Sequence, residues 1–129
     1  KSPDLVVITE VIEHLYDTAL EKLLLDLKRL CKRDTVLIFT TPNQEKLEDN
    51  YIMNPIDGSL FHRWQHVRSW DPKKVTDYLR KANFETLAFY ETNILWFNSN
   101  ILKNIYRKFR YRDRTSLFVR AQLKLIENS

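Results

Sequence analysis

Two short apolar runs rich in β-branched residues, Leu5–Thr9 and Thr35–Thr40, stand on either side of one amphipathic segment. Within residues 17–31 the apolar side chains recur at the i, i+3, i+4, i+7 spacing of a helix: Leu20, Leu23, Leu24, Leu27, Leu30 and Cys31. A strand, a helix and a strand with short links make a βαβ unit, which is almost always right-handed with parallel strands. The pattern therefore predicts an α/β fold in which both strands are buried on both faces.

Further elements are predicted downstream of this unit. Asp71 and Pro72 are typical of an N-cap and a first helical position, and Asn83 is typical of the left-handed residue that ends a helix. A third strand is predicted over Phe84–Tyr90. The alternating residues Thr115–Leu123 predict a fourth strand that is half-exposed or at an edge.

Two stretches are predicted to lie outside the sheet. Residues 44–68 show no clean period and contain Pro55 and Gly58, so a long loop is predicted there, and loops of that length are often functional. Residues 98–110 show a helical apolar pattern. Basic side chains occupy this part of the chain, at Lys103, Arg107, Lys108, Arg110, Arg112 and Arg114. A solvated helix face is the simplest interpretation of them, and a phosphate backbone or an anionic membrane surface is the alternative partner.

Composition excludes several classes of protein. The chain has 129 residues, a net charge of +4 and 43% hydrophobic residues, which indicates a folded domain rather than a disordered polycation. Its single cysteine, Cys31, excludes an internal disulfide and favours a reducing, cytoplasmic location. The chain has no long apolar run, so no transmembrane segment is predicted. Gly58 is the only glycine, so a glycine-rich phosphate loop, if the fold uses one, is outside this chain.

Polar side chains follow directly after the first predicted strand. Glu10, Glu13 and His14 come at the carboxyl end of Leu5–Thr9, and in open α/β sheets ligands bind outside the carboxyl ends of the strands. Two carboxylates and an imidazole at that position predict a chemical or binding role.

Four motifs in order resemble class I S-adenosylmethionine-dependent methyltransferases. They are Thr9-Glu-Val-Ile-Glu-His-Leu15, Thr41-Pro42-Asn43, His66-Val67-Arg68-Ser69-Trp70 and Ala82-Asn83-Phe84-Glu85. The resemblance implies a partial Rossmann-like doubly wound sheet, mostly parallel with an antiparallel last strand, built from strands four to seven of the family order 3-2-1-4-5-7-6. Residues 1–129 would then be the C-terminal part of the domain, with a loop insertion at 44–68 and a basic helical insertion at 93–114. As a fragment the chain is not expected to be active alone.

The resemblance also implies roles for individual residues. It places Thr9, Glu10 and Val11 in the S-adenosylmethionine pocket and makes His14 and Glu13 the catalytic pair. A neutral imidazole takes a proton from a hydroxyl or amine nucleophile near neutral pH. The alternative is that Glu13 and His14 brace the start of the helix. The implied substrate-binding residues are Asn43, His62, Arg63, His66 and Arg68.

A metal site is a second interpretation of the same residues. Glu10, Glu13, His14 and His66 are similar to the Glu-x-x-Glu-His plus His set of small-RNA 2′-O-methyltransferases. Carboxylates favour Mg²⁺ or Mn²⁺, and imidazoles shift the preference toward Mn²⁺, Co²⁺ or Zn²⁺. Such an ion would acidify an attacking ribose hydroxyl.

Three functions therefore stay open at the level of sequence. The first is methyl transfer to an oxygen or nitrogen of a small or sugar-like metabolite, and the second is metal-assisted methylation of RNA. The third is a non-catalytic interaction module. If Leu5–Thr9 is left at a sheet edge, that apolar edge is predicted to self-associate.

Overall fold

The computed structural model describes residues 2–92 and 116–123. The predicted helix at 98–110 and the basic stretch therefore lie outside the described residues. The helices and strands, in chain order, are β1 (Leu5–Thr9), α1 (Asp17–Leu30), β2 (Val36–Pro42), β3 (Tyr51–Met53), β4 (Leu60–His62), α2 (Pro72–Lys81), β5 (Phe84–Thr92) and β6 (Ser116–Leu123).

Four strands form one mixed sheet in the order β1-β2-β6-β5. β1 and β2 pair in parallel, as the βαβ pattern predicts, and β6 runs antiparallel to both β2 and β5. Three strands therefore share one direction and only the last strand opposes them. This confirms the predicted partial doubly wound sheet.

The last strand corrects one expectation. The alternating pattern was expected to mark an edge or half-exposed strand, but β6 lies inside the sheet between β2 and β5. Its alternation reflects its two faces, because Leu117, Val119 and Ala121 are buried whereas Arg120 is exposed. The half-exposed interpretation is therefore confirmed and the edge interpretation is wrong, since alternation reports the faces of a strand and not its number of neighbours.

The core lies between one face of the sheet and the two long helices. Leu37 and Phe39 of β2 are buried there together with Leu24 of α1 and Leu79 of α2. The Tyr78 hydroxyl of α2 donates a hydrogen bond to the Leu20 carbonyl of α1, so the helices also contact each other. This packing fixes the carboxyl ends of β1 and β2 side by side.

β1 is less buried than the sequence predicts. Leu5 and Val7 are each 53% exposed, while Val6 and Ile8 turn toward the core. The prediction of a strand buried on both faces is therefore wrong for β1. Among the described residues it pairs only with β2, and no helix covers its outer face.

The helix ends follow local signals. The Asp71 carboxylate accepts a hydrogen bond from the Lys74 backbone N–H at 2.8 Å, which confirms it as the N-cap of α2. Asn83 has φ of 62°, the left-handed conformation expected after the helix. α1 ends at Leu30, which is 48% exposed rather than on the buried face. Cys31 is buried, and burial raises the pKa of its thiol, as expected for a structural cysteine.

The predicted long loop at 44–68 contains regular structure. A 3₁₀ turn at Leu47–Asn50 leads into the two-stranded hairpin of β3 and β4, whose register pairs Tyr51 with His62. Gly58 closes the hairpin in a left-handed conformation, with φ of 73°. Strands of three residues give too little alternation to be recognised in the sequence. Across residues 2–92 and 116–123, no helix is long and apolar enough to cross a membrane.

Candidate active site

A tight turn joins the end of β1 to α1. Glu10 adopts a left-handed conformation, with φ of 50°, and its backbone N–H donates to the Thr40 carbonyl at 2.9 Å. The His14 N–H donates to the Val11 carbonyl at 3.1 Å, and the buried Ile12 anchors the turn in the core. The side chains of this turn therefore have a fixed direction. Glu13 and His14 lie in this turn, before α1 begins at Asp17.

Glu13 is a buried carboxylate with one satisfied oxygen. The residue is 1% exposed, and its Oε2 accepts a hydrogen bond from the Thr41 hydroxyl at 2.9 Å. Its Oε1 is buried and accepts no hydrogen bond within the described residues. That oxygen lies 3.8 Å from Nε2 of His14, whose side chain is 39% exposed. A buried acceptor without a donor is costly, which points to a partner bound in the functional state.

Glu10 completes the acidic side of the turn. Its Oε1 accepts a hydrogen bond from the Thr40 hydroxyl at 2.9 Å. Burial raises the pKa of Glu10 above its ordinary value, the Thr40 hydrogen bond opposes this shift, and the neighbouring Glu13 adds to it. A pKa raised by burial and by a nearby carboxylate is typical of functional sites.

His66 reaches the turn from the far end of the polar loop. The Val67 N–H donates to the Glu13 carbonyl at 2.9 Å and ties the two segments together. The His66 and His14 rings meet edge to face, with centroids 4.8 Å apart. Glu13, His14 and His66 each offer one ligand atom, and these atoms lie within 4.8 Å of one another. The structure thus assembles three of the four predicted metal ligands, and Glu10 lies close enough to influence their charge.

Glu45 is the residue that sequence reasoning missed. Its Oε2 lies 2.5 Å from His66 Nδ1 and its Oε1 lies 3.3 Å from His62 Nε2. The two imidazole rings stack with centroids 4.6 Å apart. The only local signal for Glu45 is its place two residues after Asn43, at the carboxyl end of β2.

The predicted substrate residues divide into two groups. His62 is buried and joins His66 beside Glu45, whereas Arg63 is exposed and lies over the Trp64 ring at 5.2 Å. Arg68 points elsewhere, because its guanidinium donates to the exposed Asp17 at 2.8 Å. Asn43 forms a parallel backbone bridge with Trp70, which brings the end of β2 against the start of α2.

The residues predicted to contact a cofactor lie at the rim of this cluster. Thr9 and Val11 are exposed at the end of β1, on either side of Glu10. Their exposure leaves backbone and short side chains accessible next to the buried Glu13. That position agrees with the expected contact with S-adenosylmethionine, which stays a prediction.

Comparison with known protein families identifies the fold and its class. A family model described as a methyltransferase domain matches residues 1–88. The chain belongs to this family. The class I S-adenosylmethionine-dependent methyltransferase resemblance is therefore confirmed at the level of family and fold. Among curated protein sequences, none matches the chain.

Solved methyltransferase structures share this fold at low sequence identity. The Burkholderia thailandensis 1,6-didemethyltoxoflavin-N1-methyltransferase, crystallised with 1,6-didemethyltoxoflavin and S-adenosylhomocysteine, is 12% identical with a TM-score of 0.63, over 95% of this chain and 44% of that one. A Clostridium acetobutylicum S-adenosylmethionine-dependent methyltransferase is 12% identical with a TM-score of 0.62, over 97% and 60%. The glycopeptide N-methyltransferase MtfA, complexed with S-adenosylmethionine, is 12% identical with a TM-score of 0.60, over 97% and 55%. The chain thus spans about half the length of these structures.

Proposed function

We propose that this chain is the C-terminal part of an enzyme that transfers a methyl group from S-adenosylmethionine to an oxygen or nitrogen of a small or sugar-like metabolite. The observation that carries the proposal is the pair at the end of β1. There a partly exposed imidazole, His14, lies 3.8 Å from the unsatisfied oxygen of the buried Glu13.

The chain's own residues suggest how the reaction is supported. When bound, S-adenosylmethionine supplies a methyl group on a sulfonium sulfur. Thr9, Glu10 and Val11 line the side of the site where that group would lie, in agreement with their exposure at the end of β1. Methyl transfer depends mainly on alignment, so the rigid turn between β1 and α1 positions its side chains without further ordering.

His14 is proposed to remove the proton of the nucleophile. Its side chain is accessible to an acceptor, and Glu13 Oε1 stabilises the imidazolium that forms when the proton arrives. Because that oxygen is buried, its interaction with the imidazolium is weakly screened. Glu13 thus orients His14 and stabilises its charge, and His14 carries the proton.

A transfer assay tests the role of His14. The protein that also carries the first three strands of the sheet is supplied with radiolabelled S-adenosylmethionine and a panel of hydroxyl and amine metabolites. We expect His14→Asn to lower kcat by about 100-fold or more for any acceptor that the wild type methylates. Tyr16→Asn, at a 71% exposed ring just beyond the turn, is the matched control and keeps the wild-type rate. Equal rates for His14→Asn and wild type contradict the base role.

Calorimetric titration tests the division of the domain. We expect S-adenosylmethionine to bind the longer protein but not the present chain, because the glycine-rich loop belongs to the other half. Binding by the chain alone contradicts the fragment proposal. Absence of binding by the longer protein contradicts cofactor-dependent methyl transfer itself.

A second candidate is metal-assisted 2′-O-methylation of RNA. Its support is the group Glu13, His14 and His66, whose ligand atoms are within 4.8 Å of one another and include the unsatisfied Glu13 Oε1. Ligands of one small cation lie about 3 Å or more apart. A carboxylate with two imidazoles is suited to Mn²⁺, Co²⁺ or Zn²⁺, which would lower the pKa of a coordinated ribose hydroxyl.

Titration with Mn²⁺ separates the two candidates. Under metal-assisted transfer, the protein binds Mn²⁺ and Glu13→Gln abolishes that binding, whereas Glu21→Gln on the exposed face of α1 does not. An RNA substrate also predicts affinity that falls steeply with salt concentration, while a small neutral metabolite predicts little salt dependence. Absence of Mn²⁺ binding by the wild type contradicts this second candidate.

A third candidate is an interaction module that pairs through β1. Its support is the position of that strand at the edge of the described sheet, where it pairs only with β2, together with the 53% exposure of both Leu5 and Val7. Exposed apolar strands at a sheet edge pair with other strands. The expected result is concentration-dependent association in sedimentation, removed by Val7→Lys. A monomer at every concentration contradicts it.

A further inference from the structure

One carboxylate, Glu45, faces two buried imidazoles that belong to the candidate site. The Glu45 side chain is 12% exposed, and those of His62 and His66 are 3% and 9% exposed. The distance of 2.5 Å from Glu45 Oε2 to His66 Nδ1 indicates a short, charge-assisted hydrogen bond. Glu45 Oε1 faces His62 Nε2 at 3.3 Å and also accepts from the Asn50 side-chain amide at 3.1 Å.

The backbone holds both ends of this pair in uncommon conformations. Gln44 and Gln65, the residues immediately before Glu45 and His66, are left-handed with φ of 51° and 61°. The Gln44 N–H is bonded to the Trp70 carbonyl at 2.6 Å, and the Gln65 N–H to the His62 carbonyl at 2.8 Å. Left-handed non-glycine residues persist only where their surroundings require them. The Glu45–His66 pair is therefore held from both of its ends.

The hydrogen bonds determine which nitrogen of each ring carries the proton. His62 Nδ1 accepts the His66 backbone N–H at 3.1 Å, so the neutral His62 ring must carry its proton on Nε2. In His66 the bond to Glu45 places the proton on Nδ1. Its Nε2 is then the nitrogen with a free lone pair, on a ring that meets the His14 ring edge to face.

Glu45, His62 and His66 each offer one ligand atom within 4.8 Å of the others, but the distance between Glu45 and His66 fits a shared proton better than a shared cation. Two ligand atoms of one small cation lie about 3 Å or more apart, whereas His66 Nδ1 and Glu45 Oε2 are 2.5 Å apart. A proton between the two atoms fits that separation. Glu45 therefore acts through His66 instead of competing with it for a ligand.

We propose that Glu45 is a positioning residue that fixes His66 in its Nδ1–H tautomer and presents the Nε2 lone pair of His66 to Glu13 and His14. The tautomer assignment is independent of the proposed function, and only the methyl-transfer measurement below rests on it. A histidine that acts through one nitrogen commonly donates its other N–H to a carboxylate, which fixes its orientation and tautomer. The charged and titratable groups around His66 are Glu10, Glu13, His14, Glu45 and His62.

Long-range ¹H–¹⁵N correlation spectra of the imidazoles in the full chain, recorded above neutral pH, test the proposal. We expect His66 to be in the Nδ1–H form in the wild type. In Glu45→Ala it reverts to the Nε2–H form that a free side chain prefers in water. Glu45→Gln restores the Nδ1–H form, because its amide oxygen still accepts the hydrogen bond. Glu48→Ala, an exposed carboxylate three residues further on, leaves the spectrum unchanged.

His62 is the internal control for local unfolding. Its Nδ1 accepts the His66 backbone N–H, which requires the Nε2–H form even when the Glu45 carboxylate that faces Nε2 is removed, so His62 stays Nε2–H in every folded variant. If Glu45→Ala also changes the tautomer of His62, that variant is locally unfolded. The tautomer of His66 is then judged from the wild-type and Glu45→Gln spectra. An Nε2–H tautomer of His66 in the wild type, or an Nδ1–H tautomer that persists in Glu45→Ala with His62 intact, overturns the proposal.

Methyl transfer by the longer protein, which also carries the first three strands of the sheet, gives the second measurement. We expect Glu45→Ala to lower kcat by about tenfold or more without changing the KM for S-adenosylmethionine, and Glu45→Gln to recover most of the loss. Absence of transfer by the wild type itself contradicts the proposed function and not the tautomer assignment. Equal kcat values for Glu45→Ala and wild type show that the lone pair of His66 is not used.

Discussion

The frame of the molecule and its polar segment differ in the kind of side chain that they bury. The frame consists of the four-stranded sheet with α1 and α2, and its interior is almost entirely apolar, as at Phe39 and Leu79. The polar segment consists of residues 43–70. It buries His62 and lies against the turn that carries Glu13, whose Oε1 accepts no hydrogen bond from the residues that the structure describes. Within the described residues, the frame contains one buried side-chain atom without a hydrogen bond, Thr86 Oγ1, whereas the turn and the polar segment contain several, and such groups cost stability.

The backbone shows the same contrast. In the described residues, three of the four left-handed non-glycine residues, Glu10, Gln44 and Gln65, lie at or next to the candidate site. The fourth, Asn83, ends α2, where such a conformation is the rule. Local strain and unsatisfied polar groups concentrated in one place are typical of functional sites.

The largest effect on stability is expected in the frame. Phe39 is 2% exposed at the centre of the core, so Phe39→Ala should lower the free energy of unfolding by about 4 kcal/mol. Phe89 on β5 is 51% exposed, and Phe89→Ala should cost less than about 1 kcal/mol. Urea unfolding of both variants measures the difference. Similar losses at the two positions would show that the core is not where the structure places it.

In the polar segment and its turn, a substitution should change activity more than it changes the free energy of unfolding. Glu13→Gln keeps the shape of the side chain and its acceptor for the Thr41 hydroxyl, but it removes a buried charge. We expect the free energy of unfolding to change by less than about 1 kcal/mol, while methyl transfer falls by about 100-fold. Glu21→Gln on α1 is the control for both measurements. A large stability loss with normal activity would make Glu13 a structural residue.

Removing the contact between α1 and α2 should lower the free energy of unfolding by an intermediate amount that depends on pH. The Tyr78 hydroxyl donates to the Leu20 carbonyl, so Tyr78→Phe should cost about 1 kcal/mol at neutral pH. Burial raises the pKa of Tyr78, so the unfolded chain loses this proton first as the pH rises. Wild-type stability from this group is therefore present below about pH 10 and falls above it, while the Phe variant lacks that dependence.

The measurement is the difference in unfolding free energy between wild type and Tyr78→Phe as a function of pH. The gap should be constant from neutral pH to about pH 9 and should narrow above about pH 10. Tyr90→Phe, at a 62% exposed ring on β5, is the control. A gap that widens at high pH would contradict the sign of the Tyr78 shift.

The frame was predictable from sequence because its signals are local. β1, α1 and β2 follow from hydrophobic periodicity, and Asp71 and Asn83 mark the ends of α2 by their capping chemistry. The burial of β1 was not predictable, because apolar β-branched residues do not report whether another layer of the fold covers the outer face of a strand. Periodicity cannot identify neighbours in space.

The candidate site was only partly predictable. Glu13, His14 and His66 were recognised by motif, but Glu45 lies 21 positions from His66 and belongs to no motif. The hairpin was missed because β3 and β4 have three residues each, and Tyr51 and Phe61 lack a clear alternation around them. Contacts between distant residues in an irregular segment leave no periodic trace in the sequence.

The smallest effect concerns the left-handed residues of the two regions. Asn83→Gly should raise the free energy of unfolding by about 0.5 kcal/mol, and Asn83→Ala should lower it by about 1 kcal/mol, because a Cβ is disfavoured at φ of 62°. Gln65→Gly should stabilise the chain by a similar amount, measured by the same urea titration. Its consequence for function should differ, because it also loosens the turn that holds His66. We expect Asn83→Gly to leave methyl transfer unchanged and Gln65→Gly to lower it. Equal activity in the two variants would mean that the conformation at Gln65 is an incidental cost and not part of the site.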